Sequence, residues 1–173
     1  MKVQDLLDEL QEKECYRKFK SENPSAFFSA GFFILDLKEK TEIIQLDFFL
    51  PEQNRACPNQ SKSQISEGKI VAFEHPFQGP KIFDEEIKEM QGQTTDIKID
   101  IDDLGPTCKT IIRENGSAII LEKIIAILKD NFWNLTCMDD MLGIVRIKLD
   151  AITGEQIDFK KGSLMDMMGI KGK

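Results

Sequence analysis

The chain reads as an α+β protein, antiparallel sheets packed on helices, on three observations. Val3, Leu6, Leu7 and Leu10 recur at the spacing of one helix face. Strand-length runs rich in Phe, Ile and Val follow, each stopped by Pro, Gly or Asn. Apolar residues make up 41% of 173 positions, enough to bury a core without a metal or disulfide staple.

The first helix is expected over residues 3–20, its stripe continued by Tyr16 and Phe19 and stopped at Asn23-Pro24. Ala26 to Leu35 reads as a buried strand and Glu42 to Leu50 as a second, ended by Pro51; they pair as a hairpin across the charged segment Asp36 to Thr41. Phe27-Phe28, Phe32-Phe33 and Phe48-Phe49 are adjacent ring pairs, so one ring of each pair must point to each face of its strand. Such a sheet needs cover on both faces, from the rest of the chain, a partner or a ligand. Residues 52–69 are dominated by Gln, Asn, Ser and Lys and form a long loop, either a contact surface or a mobile connection. Ile70 to Glu74 is a third strand, ending at His75-Pro76.

In the second half, Asp84 to Met90 predicts a short helix capped by Asp84 and stopped by Gly92. Asp96 to Asp102 alternates strictly, which predicts a half-exposed strand with Ile97, Ile99 and Ile101 inward. Asp102 or Asp103 then caps a helix with Pro106 in its first turn, Leu104, Cys108, Ile111 and Ile112 on one face, and Asn115-Gly116 at its close. Ser117 to Asp130 predicts a further helix, the most buried one, because Ile120, Ile124, Ile127 and Leu128 with Leu121 and Ile125 make a wide apolar arc. Residues 132–138, 143–150 and 155–159 are strands, the last two joined at Thr153-Gly154, and a tail with Met165, Met167 and Met168 follows. Phe19 to Asn23 before three strands is echoed by Leu128 to Asn131 before three more, which suggests two related helix-plus-three-strand halves, 1–92 and 93–173, or one fused domain.

Charge and motifs exclude several functions. The net charge is −7 with both signs interspersed, so the basic stripe of a nucleic-acid binder is missing. The chain shows neither an apolar leader nor a run approaching about 20 apolar residues, so no signal peptide or membrane span is expected. Cys15, Cys57, Cys108 and Cys137 are scattered without a C-x-x-C pair and read as free thiols of a cytoplasmic protein, Cys57 exposed in a polar stretch. Phosphate-binding glycine loops are absent, and no cofactor is expected.

The only histidine, His75, is either a polar strand end or a base serving Cys108, Cys137 or the carboxylates of Asp96 to Asp103. Asp96, Asp100, Asp102 and Asp103 offer oxygen ligands, yet on a strand Asp96, Asp100 and Asp102 make the solvated face opposite the isoleucines, and the run lacks the glycine and terminal Glu of a calcium loop. Asp139-Asp140 reads the same way, and Met138, Met141, Met165, Met167 and Met168 read as apolar filler or a contact patch; no metal site is expected.

Ile147-Lys148-Leu149-Asp150-Ala151-Ile152-Thr153-Gly154-Glu155-Gln156-Ile157 resembles the closing hairpin of PepSY-type domains, a strand, D-A-x-T-G-E, then another strand, and Trp133 to Thr136 is similar to the strand before it. The resemblance implies a cystatin-like sheet wrapped on a helix, possibly in tandem, with a non-catalytic role such as binding or inhibiting another protein. From the residues themselves the leading expectation is a non-catalytic binding module acting through a protein partner or self-association, with loop 52–69 and the Met-bearing tail as contact elements. The alternatives are a carrier of a small apolar ligand in a cavity lined by Phe32, Phe48, Ile124 and Trp133, and a hydrolase using His75.

Overall fold

A computed structural model describes residues 1–52 and 67–163. In chain order the elements are α1 (Val3–Glu12), α2 (Glu14–Glu22), β1 (Phe27–Asp36), β2 (Thr41–Pro51), β3 (Gly68–Glu74), β4 (Pro80–Ile87), α3 (Ile101–Glu114), β5 (Lys123–Lys129), β6 (Phe132–Met138), β7 (Gly143–Asp150) and β8 (Gln156–Ser163). The strands form one antiparallel sheet in the order β4-β3-β2-β1-β5-β6-β7-β8. Its centre is the β1–β5 pair, which runs from Ala30 opposite Lys129 to Asp36 opposite Lys123 and joins the two parts of the chain.

Alternation along the strands decides which face is sealed. Phe33, Leu46, Phe48, Phe73, Ile124, Trp133 and Leu149 fall on one face and share a single core with Leu6 and Leu10 of α1, Phe19 of α2 and Leu104, Cys108 and Ile112 of α3. All three helices therefore cover the same side. Tyr16, Phe19, Phe48 and Phe73 pack as an aromatic knot with ring centroids 5.3 to 6.2 Å apart. The paired phenylalanines split between the faces as their spacing requires, Phe28 standing opposite Phe48 and Phe27 opposite Phe49.

Four elements differ from the sequence expectation. The first helix breaks at Lys13, whose ψ of 136° is extended. Leu10 and Phe19 are nine residues apart, about two and a half turns, so on one continuous helix they would point to opposite sides; the break lets both reach the core. Residues 84–90, expected as a helix, lie on the exposed edge strand β4, where Ile82 pairs with Val71 and Phe83 with Ile70. Pro80 fits the first position of an edge strand and the carboxylates after it fit an exposed edge, so pairing with β3 overrides the local helix signal.

The alternating segment 96–102 is irregular rather than a strand. Its isoleucines do turn inward, but Lys98 and Ile99 both donate to the single carbonyl of Ala151, the Trp133 indole donates to Ile99 O at 2.8 Å, and Ile101 already belongs to α3. A capping box wins over the period-two pattern: Asp100 caps α3 and Asp103 accepts the Asp100 N–H, so Pro106 sits past the first turn. Residues 117–130, expected as the most buried helix, end in β5 at the middle of the sheet. The wide apolar arc was the signature of a strand buried on one face by Ile124, Ala126 and Leu128 and apolar on the other through Ile125 and Ile127. The two segments of the expected echo take different structures: Phe19 to Asn23 closes α2 and precedes the four strands β1 to β4, whereas Leu128 to Asn131 is the β5–β6 turn and precedes the three strands β6 to β8.

Candidate binding surface

The second face of the sheet carries none of the described helices. Cross-strand register lays its side chains in rows. Ile43, Ile34, Ile125, Thr136, Arg146 and Lys160 form one row from β2 to β8, and Gln45, Phe32, Ile127, Asn134, Lys148 and Asp158 form the next. Ile43 is 55% exposed and Ile127 39%, and Phe32, Ile34 and Ile125 lie half-buried between them. The result is an apolar strip over β2, β1 and β5. Beside it, Ile125, Ile127, Asn134, Thr136, Arg146 and Lys148 line a shallow groove of about 230 Å³, with Lys160 paired to Asp158 at 3.1 Å on its far wall.

Asp47, half-buried on β2, belongs to the same face. Asp47 is desolvated by its neighbours, which raises its carboxyl above the usual aspartate range, and the Gln45 amide donates to it at 2.7 Å and partly offsets that.

A second concavity lies on the helix side, where α2 stops short of the sheet edge. Cys15, Phe19, Leu50, Val71 and Ile82 floor a groove of about 540 Å³, and Lys18, Glu22, Lys69 and Asp84 rim it. The thiol of Cys15 donates to Phe77 O at 3.3 Å. The sequence signal for this groove was missed with β4, because Ile82 and Asp84 take their places in it only when 80–87 is a strand.

The residues expected to line a ligand cavity do not converge. Phe48, Ile124 and Trp133 are buried in the helix-side core, Phe48 within the aromatic knot and Trp133 against Phe33 at 5.7 Å, while Phe32 points to the other face. His75, after β3, stands 3.7 Å from the Glu9 carboxylate in a cleft with Asp5, Lys40 and Glu42. Cys137 on β6 is separated from β3 by three strands, roughly 19 Å at about 4.8 Å per spacing, so the His–Cys pairing does not form. Cys108 and Cys137 instead hydrogen-bond each other in the core, and that bond together with burial pushes the Cys108 thiol far up.

Four of the acidic residues have structural partners. Asp100 and Asp103 cap α3, Asp102 pairs with the Met1 ammonium, and Asp139 accepts the Met141 and Gly143 N–H groups in the β6–β7 turn. Residues 147–157 form the β7–β8 hairpin, in which Asp150 accepts from Ile152 and Thr153, both at 2.9 Å, and Gly154 turns with a φ of 79°. Those turn contacts hold the Asp150 carboxyl below its ordinary range. Most of the expected loop 52–69, residues 53–66 with Cys57, and Met165, Met167 and Met168 lie outside the described residues.

No family model matches the chain, and no curated protein matches it. Among solved structures, the crystal structure of a putative lipoprotein from Clostridium difficile 630 aligns over 85% of this chain and 90% of its own length, at 10% identity and a TM-score of 0.41. So loose a likeness bears on neither fold nor function. No helix among the described residues is long and apolar enough to cross a membrane.

Proposed function

We propose that the chain is a non-catalytic binding module that acts through a protein partner laid on the helix-free face of its sheet. The observation that carries this reading is the contiguous strip of Ile43, Phe32, Ile34, Ile125 and Ile127, apolar side chains gathered on one face instead of scattered. Polar and charged neighbours at Asn134, Arg146 and Lys148 supply the rim that such interfaces use. The free thiols of Cys15, Cys108 and Cys137 fit a reducing, cytoplasmic setting. Affinity capture with the wild-type chain and with an Ile43→Ser, Ile127→Ser variant tests it. A partner held by the first and released by the second supports the reading, and equal capture by both defeats it.

A related proposal concerns origin. Residues 1–92 and 93–173 each supply helix and then a four-stranded meander, disposed on either side of the β1–β5 pair, which supports two related halves. The hairpin at 147–157 keeps a PepSY-like, cystatin-like kinship open as part of that proposal.

The carrier reading is favoured by a different place from the one expected. The groove between α2 and β4 has an apolar floor, and Lys18 and Lys69 on its rim suit an acyl carboxylate. Displacement of a fluorescent fatty acid, lost in Val71→Glu, would support it; no saturable binding would reject it.

A further inference from the structure

We infer that the sheet continues from one copy of this chain into the next, β8 of one copy adding antiparallel to β4 of its neighbour. The two strands are the edges of the sheet and are exposed along most of their length. Their charges are opposite in balance. β4 carries Asp84, Glu85 and Glu86 against Lys81, and β8 carries Lys160 and Lys161 against Asp158. β4 is net negative and β8 net positive, so pairing either strand with itself joins edges of the same net sign, whereas β8 on β4 joins edges of opposite sign. Lys81 is held by Glu74 at 2.6 Å, while Asp84, Glu85 and Glu86 have no ion-pair partner among the described residues.

Strand direction permits the join. With eight strands and every neighbour antiparallel, β4 and β8 run in opposite directions. A copy displaced along the sheet without inversion therefore meets its neighbour antiparallel, with the helices of both on the same side.

Register then selects one arrangement. Ile82 stands beside Val71 and Phe159 beside Ile147 on the helix side, so Asp84 and Lys161 share that side. Phe83 beside Ile70 and Lys160 beside Arg146 mark the other side, and β4 bulges over Asp84 to Glu86, between its pairs with Ile70 and Gly68. One register places Asp84, which lines the helix-side groove, opposite Lys161 and brings Glu85 opposite Lys160. Registers two residues to either side keep one such pair or none. The contact is head-to-tail, and sheet twist rotates each added copy, so the series stays open instead of closing as a dimer.

This inference uses the edges and is independent of the face proposed above. The test is sedimentation velocity on the full chain over a concentration series to about 1 mM, the range in which so small an interface associates. The weight-average mass is expected to rise without a plateau at the dimer. Reversal on one edge, D84K with E85K or K160E with K161E, should weaken association about tenfold while circular dichroism stays native, and the four changes together should restore it. Monomer at every concentration, or association indifferent to both reversals, overturns the inference. Ile43→Ser with Ile127→Ser should leave assembly unchanged; if that variant alone abolishes it, the edges are the wrong surface and the face is implicated instead.

Discussion

The carboxylate of Asp100 accepts the backbone N–H of Val3 at 2.9 Å from 97 residues away, and the same oxygen takes the N–H of Ile101 at 2.8 Å. One buried side chain thereby caps the first turns of α1 and α3 and fixes the two helices to each other over a common sheet. Asp100→Ala leaves two buried donors unpaired and is expected to cost about 2 to 4 kcal/mol, with Asp100→Asn recovering part of it. Urea denaturation measures this. A loss under about 0.5 kcal/mol would show that the helices are fixed by other contacts.

Asp47 gives the stability a pH signature. Its folded pKa is raised by desolvation, so the folded state holds its proton more tightly than the unfolded chain does. Stability contributed by this group is complete below the unfolded value near about 4 and falls as pH rises through the folded value. Asp36 and Asp150 at strand ends and Asp158 on β8 have lowered carboxyls and act in the opposite sense. Asp47→Asn removes only the first effect. Its melting temperature relative to wild type is expected to climb between pH 4 and neutrality and then level off; a constant difference across that range would contradict the assignment.

Trp133 is a structural residue. Its ring is fully buried and its indole N–H holds the connector at Ile99 O. Native emission is expected to be blue-shifted, resistant to acrylamide, and insensitive to fatty or aromatic ligands. Trp133→Phe should cost about 1 to 3 kcal/mol in urea denaturation and loosen the connector at residues 96–99 in hydrogen exchange. A ligand-dependent emission change would place this side chain in a binding cavity after all.

Gly68 is required by a close approach. A Cβ there would lie 2.4 Å from the Phe49 ring and 2.5 Å from Leu50 O, and the backbone oxygen has no freedom to move aside. Gly68→Ala is expected to cost about 1 to 3 kcal/mol by forcing β3 away from β2. An Ala variant as stable as wild type would mean that the β2–β3 contact is looser than it is drawn.

Periodicity found the elements whose partners are local. The β1–β2 hairpin, the strands β6 to β8 and the α3 stripe were all legible, because each carries its own spacing and its own turn residues, such as Asp36 and Asp150. The failures came where tertiary pairing outweighed local preference. Residues 123–129 became a strand because β1 and β6 flank them, and residues 80–87 because β3 offered an open edge. The same errors hid the candidate surfaces. The exposed face needs Ile125 and Ile127 on a strand beside Phe32 and Ile34, and the α2 groove needs Ile82 on β4; the adjacent Phe pairs nonetheless signalled from the outset that both faces of β1 and β2 carry rings.

The central claim is that one face of the sheet is sealed by helices while the strip of Ile43, Phe32, Ile34, Ile125 and Ile127 on the other is open to solvent. The most direct measurement is maleimide labelling of single introduced thiols in a background with Cys15 and Cys57 changed to Ser. Ile127→Cys and Ile43→Cys are expected to react in the native protein at rates near those of an unfolded control, and Ile124→Cys, three residues earlier on β5 and on the sealed side, only after unfolding. Protection of Ile127→Cys as strong as that of Ile124→Cys would contradict the account.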